Sequence, residues 1–535
     1  MRDFLAFFLF NNNFVLIFPL SLIYYVKIQL EVIDVKAINI TSRTITIELE
    51  NDFPYYHNSE YDVFLNNEFL FKENKNVFTI YDLTPNTEYR ISLLGKEQIY
   101  KTNTESACLH VKDFNATGNG ETDDTVKIQA AIMCCPDNGC VYIDKGTYLI
   151  SSLFLKSNMT LYFEKGSKLI AKTGRMDYPI FPGLIDGYNY GVWEGSEVNN
   201  FSSIINCINV SNVSICGQGE IDCQAEKGDW YINHRVMNIA WRGHAIFTNR
   251  SENISFIGVY VHNTQSWAIH PYFSNHINFL NLKVENKPSM PTTDGIDPDC
   301  CDDVRILGCY FNVGDDCIAI KSGTIELAKK YKKSCSNLYI SNNYMEQGHG
   351  GVVFGSESSG GIENVVVEKC IFNNTDRGLR IKTRRGRGNI GGINNVSFNN
   401  IFMDSVKTPF VINMYYNMGP AGGHTEYVWT TKKLEFDDRT PIIGKFKFSN
   451  MKCINVGYAA GVFLGLPESK IGGLEFENVI FEYDNTIDEG YPVMIEHNFK
   501  MKNLGLYCFN VENVYTKNVE FKGNLGDNII KKDSE

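Results

Sequence analysis

The chain has 535 residues, of which 43% are hydrophobic, so it can form a large core and is not disordered as a whole. Fifty Lys and Arg residues against 62 Asp and Glu give a net charge of −12, which argues against a dedicated nucleic-acid binder. Roughly one residue in ten is Asn, in segments rich in Ile, Val, Phe and Tyr, a pattern that predicts many short strands joined by tight turns.

The first 27 residues form a hydrophobic N-terminal segment. Residues 4–26 carry no charge and are long enough to span a bilayer. Three consecutive Asn residues (11–13) and Pro19 interrupt them, and no A-x-A-like cleavage site follows, so the segment is a poor cleavable signal. We expect it to export the chain or to anchor it in a membrane, facing outside. The alternative is a mis-assigned start and a cytoplasmic enzyme.

Residues 28–105 alternate apolar and polar side chains in the manner of short strands, with Asn66-Asn67 as a hairpin turn. The run LTPNTEYRI (83–91) resembles the fibronectin type III domain, in which Tyr89 would be the tyrosine-corner residue. Leu49 departs from that family, which usually has a strand Trp near this position. The segment predicts a small β-sandwich that spaces or positions its neighbour and does not catalyse.

Beyond residue 110 the sequence repeats. Apolar anchors recur at intervals of mostly 23 to 34 residues, with one longer interval, at Ile254, Ile277, Val304, Leu338, Val365, Val396, Phe446 and Leu474. Further apolar residues follow each anchor by two and by seven positions. Repeats of this length built from short strands are typical of a parallel β-helix, whose stacked coils share one core. The sequence therefore predicts an all-β chain, with a parallel β-helix over residues 108–535.

The fifteen cysteines are scattered along the chain. No C-x-x-C pair occurs, so spacing gives no support to a zinc or thioredoxin-like motif. Cys134, Cys135 and Cys140 are close enough in sequence to hold one disulfide. Cys309 and Cys370 each lie five residues past an anchor, where interior side chains fall. We expect the set as a whole to be reduced, buried, small hydrophobic residues.

Charged residues follow the same register. Three segments align without gaps: DDCIAIKS (315–322), HGGVVFGS (349–356) and DRGLRIKT (376–383). Because side chains alternate along a strand, inward-facing Ile residues in these segments put Lys321, Arg380 and Lys382 on one outward face. That face also carries Asp315, Asp316 and His349 at its edge.

Six cations occur within residues 377–387 of this acidic chain. For Arg384, Arg385 and Arg387 a solvated charged turn is the alternative. Arg380 and Lys382 alternate with core residues beside paired carboxylates, which favours an anionic ligand bound in a groove.

Asp294, in TTDGID (292–297), adds a third carboxylate one coil before Asp315-Asp316. Adjacent carboxylates raise the pKa of one member, which keeps a general acid protonated beside an ionised base. Two-carboxylate sites of this kind serve glycoside hydrolysis.

The motifs that carry this chemistry resemble, in order and spacing, those of glycoside hydrolase family 28, the polygalacturonases: TDGID (293–297), GDDCIAIKSG (314–323), GHGGVVFGSE (348–357) and RGLRIKT (377–383). The resemblance covers about residues 108–525. It implies that Asp315 is the general acid and that Asp294 and Asp316 activate the attacking water. It also implies that His349 supports the acid.

In the same resemblance, Arg380 and Lys382 match the residues that hold the substrate carboxylate. Thr292 stands where the family often has Asn, and we expect this change to alter subsite contacts without loss of catalysis.

The resemblance implies a right-handed, pectin-lyase-like β-helix that hydrolyses α-1,4-galacturonosidic bonds of polygalacturonate or pectin with inversion. It implies no cofactor and no catalytic metal. We expect a monomer whose partners are galacturonan oligosaccharides and not nucleic acid. Inversion needs acid and base carboxylates ~6.5–9.5 Å apart, which Asp315 against Asp294 and Asp316 across a groove can meet.

Attack from a chain end is favoured by a long insertion between Asp177 and Arg250, which carries Trp193, Trp230 and Trp241 and can close one end of the groove. The type III-like domain and the basic run RIKTRRGRG (380–388) also resemble bacterial exo-acting members of the family.

Within the family, the alternatives are an endo-polygalacturonase and a rhamnogalacturonan or xylogalacturonan hydrolase. A Ca²⁺-dependent pectate lyase and a non-catalytic glycan-binding β-helix are remote alternatives from other classes.

Overall fold

The computed structural model describes residues 9–10, 13–14, 34–417 and 425–534. The predicted export or anchor segment, residues 4–26, lies outside the described residues except for two paired strands, Leu9–Phe10 and Asn13–Phe14. Among the helices of the described part, none is long and apolar enough to cross a bilayer.

Residues 34–101 form a small antiparallel β-sandwich. In order of pairing, its strands are Asp34–Ile40, Ile45–Glu50 and Val77–Ile80 in one sheet, and Glu68–Lys75, Tyr56–Leu65, Glu88–Leu93 and Lys96–Lys101 in the other. Asn66 and Asn67 form the predicted turn, with positive φ angles of 53° and 70°. The Tyr89 hydroxyl accepts a hydrogen bond from the Thr84 backbone N–H at 2.8 Å, as expected of a tyrosine corner. Leu49 is buried in the sandwich core.

The rest of the described chain winds into a right-handed parallel β-helix. Its first face consists of the strands Cys108–His110, Gly139–Ile143, Met159–Phe163, Ser211–Gly217, Glu252–Ile257, Asn275–Leu280, Asp302–Leu307, Cys335–Ser341, Ile362–Glu368, Ile393–Asp404, Lys445–Val456, Gly473–Tyr483 and Val514–Lys522. The last four continue into the second face, which otherwise consists of Asn119–Asp123, Gly146–Ile150, Ser167–Ala171, Glu220–Asp222, Tyr260–His262, Lys283–Glu285, Tyr310–Asn312, Tyr344–Gln347 and Ile371–Asn373.

The third face contains two parallel sheets. The first consists of Leu153–Phe154, Ile205–Ile208, Ile246–Asn249 and Ile269–Tyr272, and the second of Asp316–Ile320, Gly350–Gly355, Arg377–Lys382, Thr408–Asn413, Ala459–Leu464, Leu504–Phe509 and Ile529–Lys532. Between them lies one coil that is joined to its neighbours by isolated bridges at Ile296 and Asp299.

Helices and short pairs decorate the coils. The α-helices are Thr125–Cys134, Ile325–Tyr331 and Glu426–Trp429, and the 3₁₀ turns are Val111–Phe114, Arg175–Asp177 and Ala225–Lys227. Two antiparallel pairs rise from the inserted region, Ile180–Phe181 with Asn200–Phe201 and Val192–Trp193 with Ser196–Glu197.

The pairing register confirms the predicted repeat. The anchors are successive partners on the first face, and none is more than 3% exposed: Ile254, Ile277, Val304, Leu338, Val365, Val396, Phe446 and Leu474. Coils stack at ~4.8 Å, so equivalent side chains lie on top of one another inside the helix. The rings of Phe256 and Phe279, for example, stack with centroids 5.0 Å apart.

All fifteen cysteines lie in the described part of the chain, and none is in a disulfide. Cys309 and Cys370 are completely buried, as the register predicts. Cys134 is exposed, and the possible disulfide among Cys134, Cys135 and Cys140 is not formed.

Replacing Phe279 by Ala should lower the free energy of unfolding by about 3–5 kcal/mol, because it empties a place in the interior stack. Val366 faces outward on the same face and is 37% exposed, so Val366→Ala should cost less than about 0.5 kcal/mol. Thermal and urea unfolding of the two variants would test this. Equal losses in both variants would contradict the interior placement of Phe279.

Candidate active site

Coil stacking brings the predicted catalytic residues to one edge of the third face. Asp316 begins the strand Asp316–Ile320, and the bridges to the preceding coil place Asp294 beside it. The backbone N–H of His349 donates to the carbonyl oxygen of Asp315 at 2.8 Å, which sets His349 one coil further along. Asp294, Asp315 and His349 line the same cleft, and Asp316 is completely buried next to them.

Asp294, Asp315 and Asp316 form a carboxylate triad, in which each residue offers an oxygen within 4.8 Å of the other two. The expected separation of ~6.5–9.5 Å is not met between these oxygens. Asp294 and Asp316 occupy equivalent positions on adjacent coils, whose spacing of ~4.8 Å sets their distance, and Asp315 directly precedes Asp316.

Asp316 is the most heavily paired member of the triad. Its Oδ2 accepts a hydrogen bond from Lys382 Nζ at 2.6 Å and its Oδ1 accepts one from Arg380 Nη1 at 3.0 Å. Burial alone would raise the pKa of Asp316, but the charges of Lys382 and Arg380 outweigh it and hold that pKa well below its usual range. The two cations therefore favour the ionised form of Asp316.

Asp315 lies at the rim, with 24% of its side chain exposed. His349 Nδ1 lies 3.3 Å from Asp315 Oδ1, and the backbone N–H of Thr292 donates to Asp315 Oδ2 at 3.1 Å. Burial raises the pKa of Asp315, but the hydrogen bond to His349 outweighs it and lowers that pKa. The same hydrogen bond raises the pKa of His349.

Asp294 carries the raised pKa of the triad. It is 4% exposed, and burial together with the neighbouring carboxylates of Asp297 and Asp315 raises its pKa well above the usual range. The sequence predicts a raised pKa for one member of the carboxylate group, and the resemblance makes Asp315 the general acid. In the structure the raised pKa belongs to Asp294, while the pKa of Asp315 is lowered by His349.

Thr292 reaches its position with a positive φ of 61°, which Asn adopts more readily than a β-branched residue. Its hydroxyl accepts a hydrogen bond from Arg242 Nη2 at 2.9 Å, and Arg242 also donates to the carbonyl oxygen of Gln265. Arg242 thus supports the turn whose backbone binds Asp315, a contact that sequence reasoning missed.

A second buried charge cluster lies beside the triad. Lys321 Nζ lies 3.6 Å from carboxylate oxygens of both Asp297 and Glu357, and Arg387 donates to Glu357 at 3.0 Å. Lys321 faces the groove side, as predicted, but it is only 3% exposed. Sequence reasoning missed Glu357 as a partner of Lys321. The available signal was its position, directly after the aligned segment 349–356.

The basic run is structured and not a solvated turn. Arg385 is 1% exposed and forms two hydrogen bonds to the carboxylate of Glu468, at 2.6 and 3.0 Å. Arg387 contacts Glu357 and Ser356. The alternative of a solvated turn is therefore wrong for these two arginines.

Aromatic rings form one wall of the cleft. Trp193 stacks on Trp241 with centroids 4.8 Å apart and on Trp267 at 5.4 Å, with nearly parallel planes in both pairs. Trp230, the third tryptophan of the insertion, is buried elsewhere against Tyr178. Two of the three predicted tryptophans thus lie at the cleft, joined by Trp267 from the adjacent coil.

The cleft encloses about 550 Å³ and has a wall on each side. The hairpin Val192–Trp193 with Ser196–Glu197 is fixed to the helix Ile325–Tyr331, because Glu197 accepts hydrogen bonds from Tyr331 at 2.6 Å and Lys330 at 2.9 Å. On the opposite side, Arg377 donates to the carbonyl oxygen of Pro492 at 3.0 Å.

Three clustered carboxylates can in general hold a hard cation. Here Arg380 and Lys382 already neutralise Asp316, which weakens the attraction for a divalent ion.

A parallel β-helix with a carboxylate triad in a basic, aromatic-walled cleft defines a glycoside hydrolase of the β-helix class. The chain belongs to the Glycosyl hydrolases family 28, whose family model matches residues 185–455, about half of the chain.

Similar proteins agree with this assignment. A probable polygalacturonase of Vitis vinifera is 29% identical over 375 residues, covering 69% of this chain and 72% of the relative. An exo-poly-alpha-D-galacturonosidase of Dickeya chrysanthemi is 26% identical over 473 residues, covering 75% and 76%. The structure of a Yersinia enterocolitica family 28 exopolygalacturonase matches with a TM-score of 0.68 at 20% identity, covering 93% of this chain and 97% of that one. This last likeness shows that the sandwich and β-helix recur together as a fold.

Lys382→Gln should lower the free energy of unfolding by on the order of 1–3 kcal/mol, because it takes one charged hydrogen-bond partner from buried Asp316. The double variant Asp316→Asn/Lys382→Gln should be less stable still, because it also leaves the buried Arg380 guanidinium without its carboxylate partner. Denaturant midpoints of the wild type and the two variants would test this. A double variant as stable as Lys382→Gln would contradict the pairing of Arg380 with Asp316.

Proposed function

We propose that the protein hydrolyses α-1,4-galacturonosidic bonds of polygalacturonate with inversion and releases short products from a chain end. The observation that carries the proposal is the carboxylate triad of Asp294, Asp315 and Asp316 next to Arg380 and Lys382 in a cleft walled by an anchored hairpin. Membership of family 28 and the names of the relatives support the substrate class.

Asp315 is proposed as the general acid, because it is the triad member at the rim, where a leaving oxygen can reach it. Asp315 and His349 share one proton across their 3.3 Å contact, and delivery of that proton to the leaving oxygen leaves the Asp315 carboxylate beside a neutral His349. Asp294 and Asp316 lie deeper and would hold the attacking water between floor and substrate. Water and leaving group then lie on opposite faces of the sugar, as inversion requires.

Arg380 and Lys382 are proposed to bind the substrate carboxylate. Each of them makes its contact with Asp316 through part of its donor set, and guanidinium and ammonium groups carry five and three N–H donors. Because Asp316 offsets only one of their two charges, a net positive charge remains for galacturonate. This preference favours galacturonan over rhamnogalacturonan at the site of cleavage.

Attack from a chain end follows from the hairpin. Its tip lies close to Thr324, whose hydroxyl donates to the Gly195 carbonyl oxygen at 2.9 Å, and its aromatic face is held by Trp241 and Trp267. A wall fixed at so many points is not readily displaced by a polymer lying across the groove. A chain terminus is then the part of the substrate with room to enter.

The N-terminal segment of residues 1–27 is proposed to export or anchor the enzyme, as its composition predicts. Pectin is a wall polymer, and an outward-facing enzyme meets it directly.

Asp315→Asn should reduce turnover of polygalacturonate by roughly 10²–10⁴-fold, because it removes the transferable proton at nearly constant shape. The circular dichroism spectrum and oligogalacturonate binding should not change. Asp303→Asn, an exposed carboxylate that pairs with His276 away from the cleft, is the matched control and should retain full activity. Retention of more than about a tenth of the activity in Asp315→Asn would assign the acid elsewhere.

A product time course on polygalacturonate should show mono- or digalacturonate from the first minutes, with slow loss of viscosity. Glu197→Ala, which frees the hairpin from the helix, should increase the share of longer oligomers. Lys329→Ala breaks a surface ion pair on the same helix and should leave the products unchanged.

An early ladder of mixed oligomers from the wild type would show an endo-acting enzyme. An ultraviolet-absorbing unsaturated product would indicate a lyase, and no release of reducing sugar a non-catalytic binder.

A further inference from the structure

Potential metal ligands converge where the sandwich meets the first coil. Glu105 lies in the linker between the two domains, and Cys108 and His110 lie on the first strand of the first face. Pairing of that strand with the next one places Cys108 directly opposite Cys140. The two cysteines are 32 positions apart in the sequence, so they are not part of a short spacing motif.

Three of the ligand atoms are close enough to share one ion. An oxygen of Glu105 and the sulfurs of Cys108 and Cys140 all lie within 4.8 Å of one another. His110 is outside this group, but its Nε2 lies 3.9 Å from Cys108 Sγ. Ligands of a tetrahedral zinc ion lie about 3.3–3.8 Å from one another, given bond lengths near 2.0–2.3 Å, so the three ligands have to draw together slightly and the imidazole has to turn toward them.

His110 is held in the orientation of a metal-binding histidine. Its Nδ1 lies 2.7 Å from Asp144 Oδ1, so this nitrogen carries the proton and donates to the carboxylate. The lone pair of Nε2 is then available on the side of Cys108. A carboxylate behind a coordinating imidazole is the usual support of zinc histidines.

The charges around the cluster favour a divalent cation. Arg43 donates to Glu105 Oε2 at 2.9 Å and to Oε1 at 2.6 Å, and Ser42 donates to Oε2 at 3.0 Å. Among the described residues, only Arg43 donates to Oε1, which keeps a lone pair for a metal. Two thiolates and the carboxylates of Glu105 and Asp144 supply four negative charges, and one Zn²⁺ and Arg43 offset three of them.

We propose that Glu105, Cys108, His110 and Cys140 form a structural zinc site that fastens the β-sandwich to the β-helix. Thiolate and imidazole ligands favour Zn²⁺ over Ca²⁺ or Mg²⁺, and four protein ligands leave no open position for catalysis. Binding replaces two thiol protons, which pass to the buffer, so the affinity should rise with pH. The site lies on the first face and is separate from the catalytic cleft on the third.

The test uses the full chain, reduced and stripped of metal, and titrates it with Co²⁺ as a spectroscopic substitute for Zn²⁺. We expect one equivalent to give the intense thiolate charge-transfer and tetrahedral d–d absorption of a Cys-ligated site, which Zn²⁺ then displaces. Zn²⁺ should also raise the melting temperature, because it binds the folded state.

Cys108→Ser and His110→Ala should weaken Co²⁺ binding at least tenfold while polygalacturonate hydrolysis and circular dichroism stay unchanged. Cys134→Ser, which removes the exposed cysteine nearby in sequence, is the matched control and should bind as the wild type does.

Absorption typical of octahedral oxygen and nitrogen ligands, or equal binding by Cys108→Ser, would overturn the proposal. So would mass-spectrometric detection of a Cys108–Cys140 disulfide in protein purified with zinc and without reductant.

Discussion

Coil-to-coil pairing is the constraint on which the rest of this structure depends. Every coil repeats its backbone position at ~4.8 Å from the last, so residues far apart in sequence meet whenever they share a register position. The interior anchors, the carboxylates Asp294 and Asp316, and the cysteines Cys108 and Cys140 are all consequences of that one rule. A shift of a single residue in one coil would turn its core side chains to solvent and separate the triad.

The cleft shows how a β-helix can bury charge. Asp316 and Lys321 are almost inaccessible to water, yet each faces partners of opposite sign: Arg380 and Lys382 for the first, Asp297 and Glu357 for the second. Isolated charges at this depth would be very costly, so the two clusters have to form together with the coils. The result is a set of fixed dipoles and charges that does not have to reorganise when a sugar ring binds.

The repeat could be predicted because burial is periodic: every coil needs apolar residues at the same positions, and the anchors from Ile254 to Leu474 report that need directly. The alternation of side chains along a strand predicted that Arg380 and Lys382 point outward on one face. The partners of these cations could not be predicted, because alternation fixes a side chain's face and not its contact. Sequence reasoning thus placed both cations at the groove but missed their bond to Asp316.

Three other features of the site could not be predicted from the sequence, because each depends on which residues meet in the folded chain. The sequence placed Asp294 one coil before Asp316 but did not show that the two occupy equivalent positions, and that register sets the distance between their carboxylates. The proton distribution depends on the contact between His349 and Asp315. The anchoring of the hairpin depends on Glu197 reaching a helix more than a hundred residues away.

The coil that carries Asp294 forms no regular strand on the third face, yet its backbone from Asp294 to Cys300 is hydrogen-bonded to the coils on both sides. Local opening of this coil would have to break both sets of bonds, so its opening free energy should be close to that of the coils beside it. Irregular backbone at this point therefore does not loosen the site, and the solenoid is mechanically continuous through it.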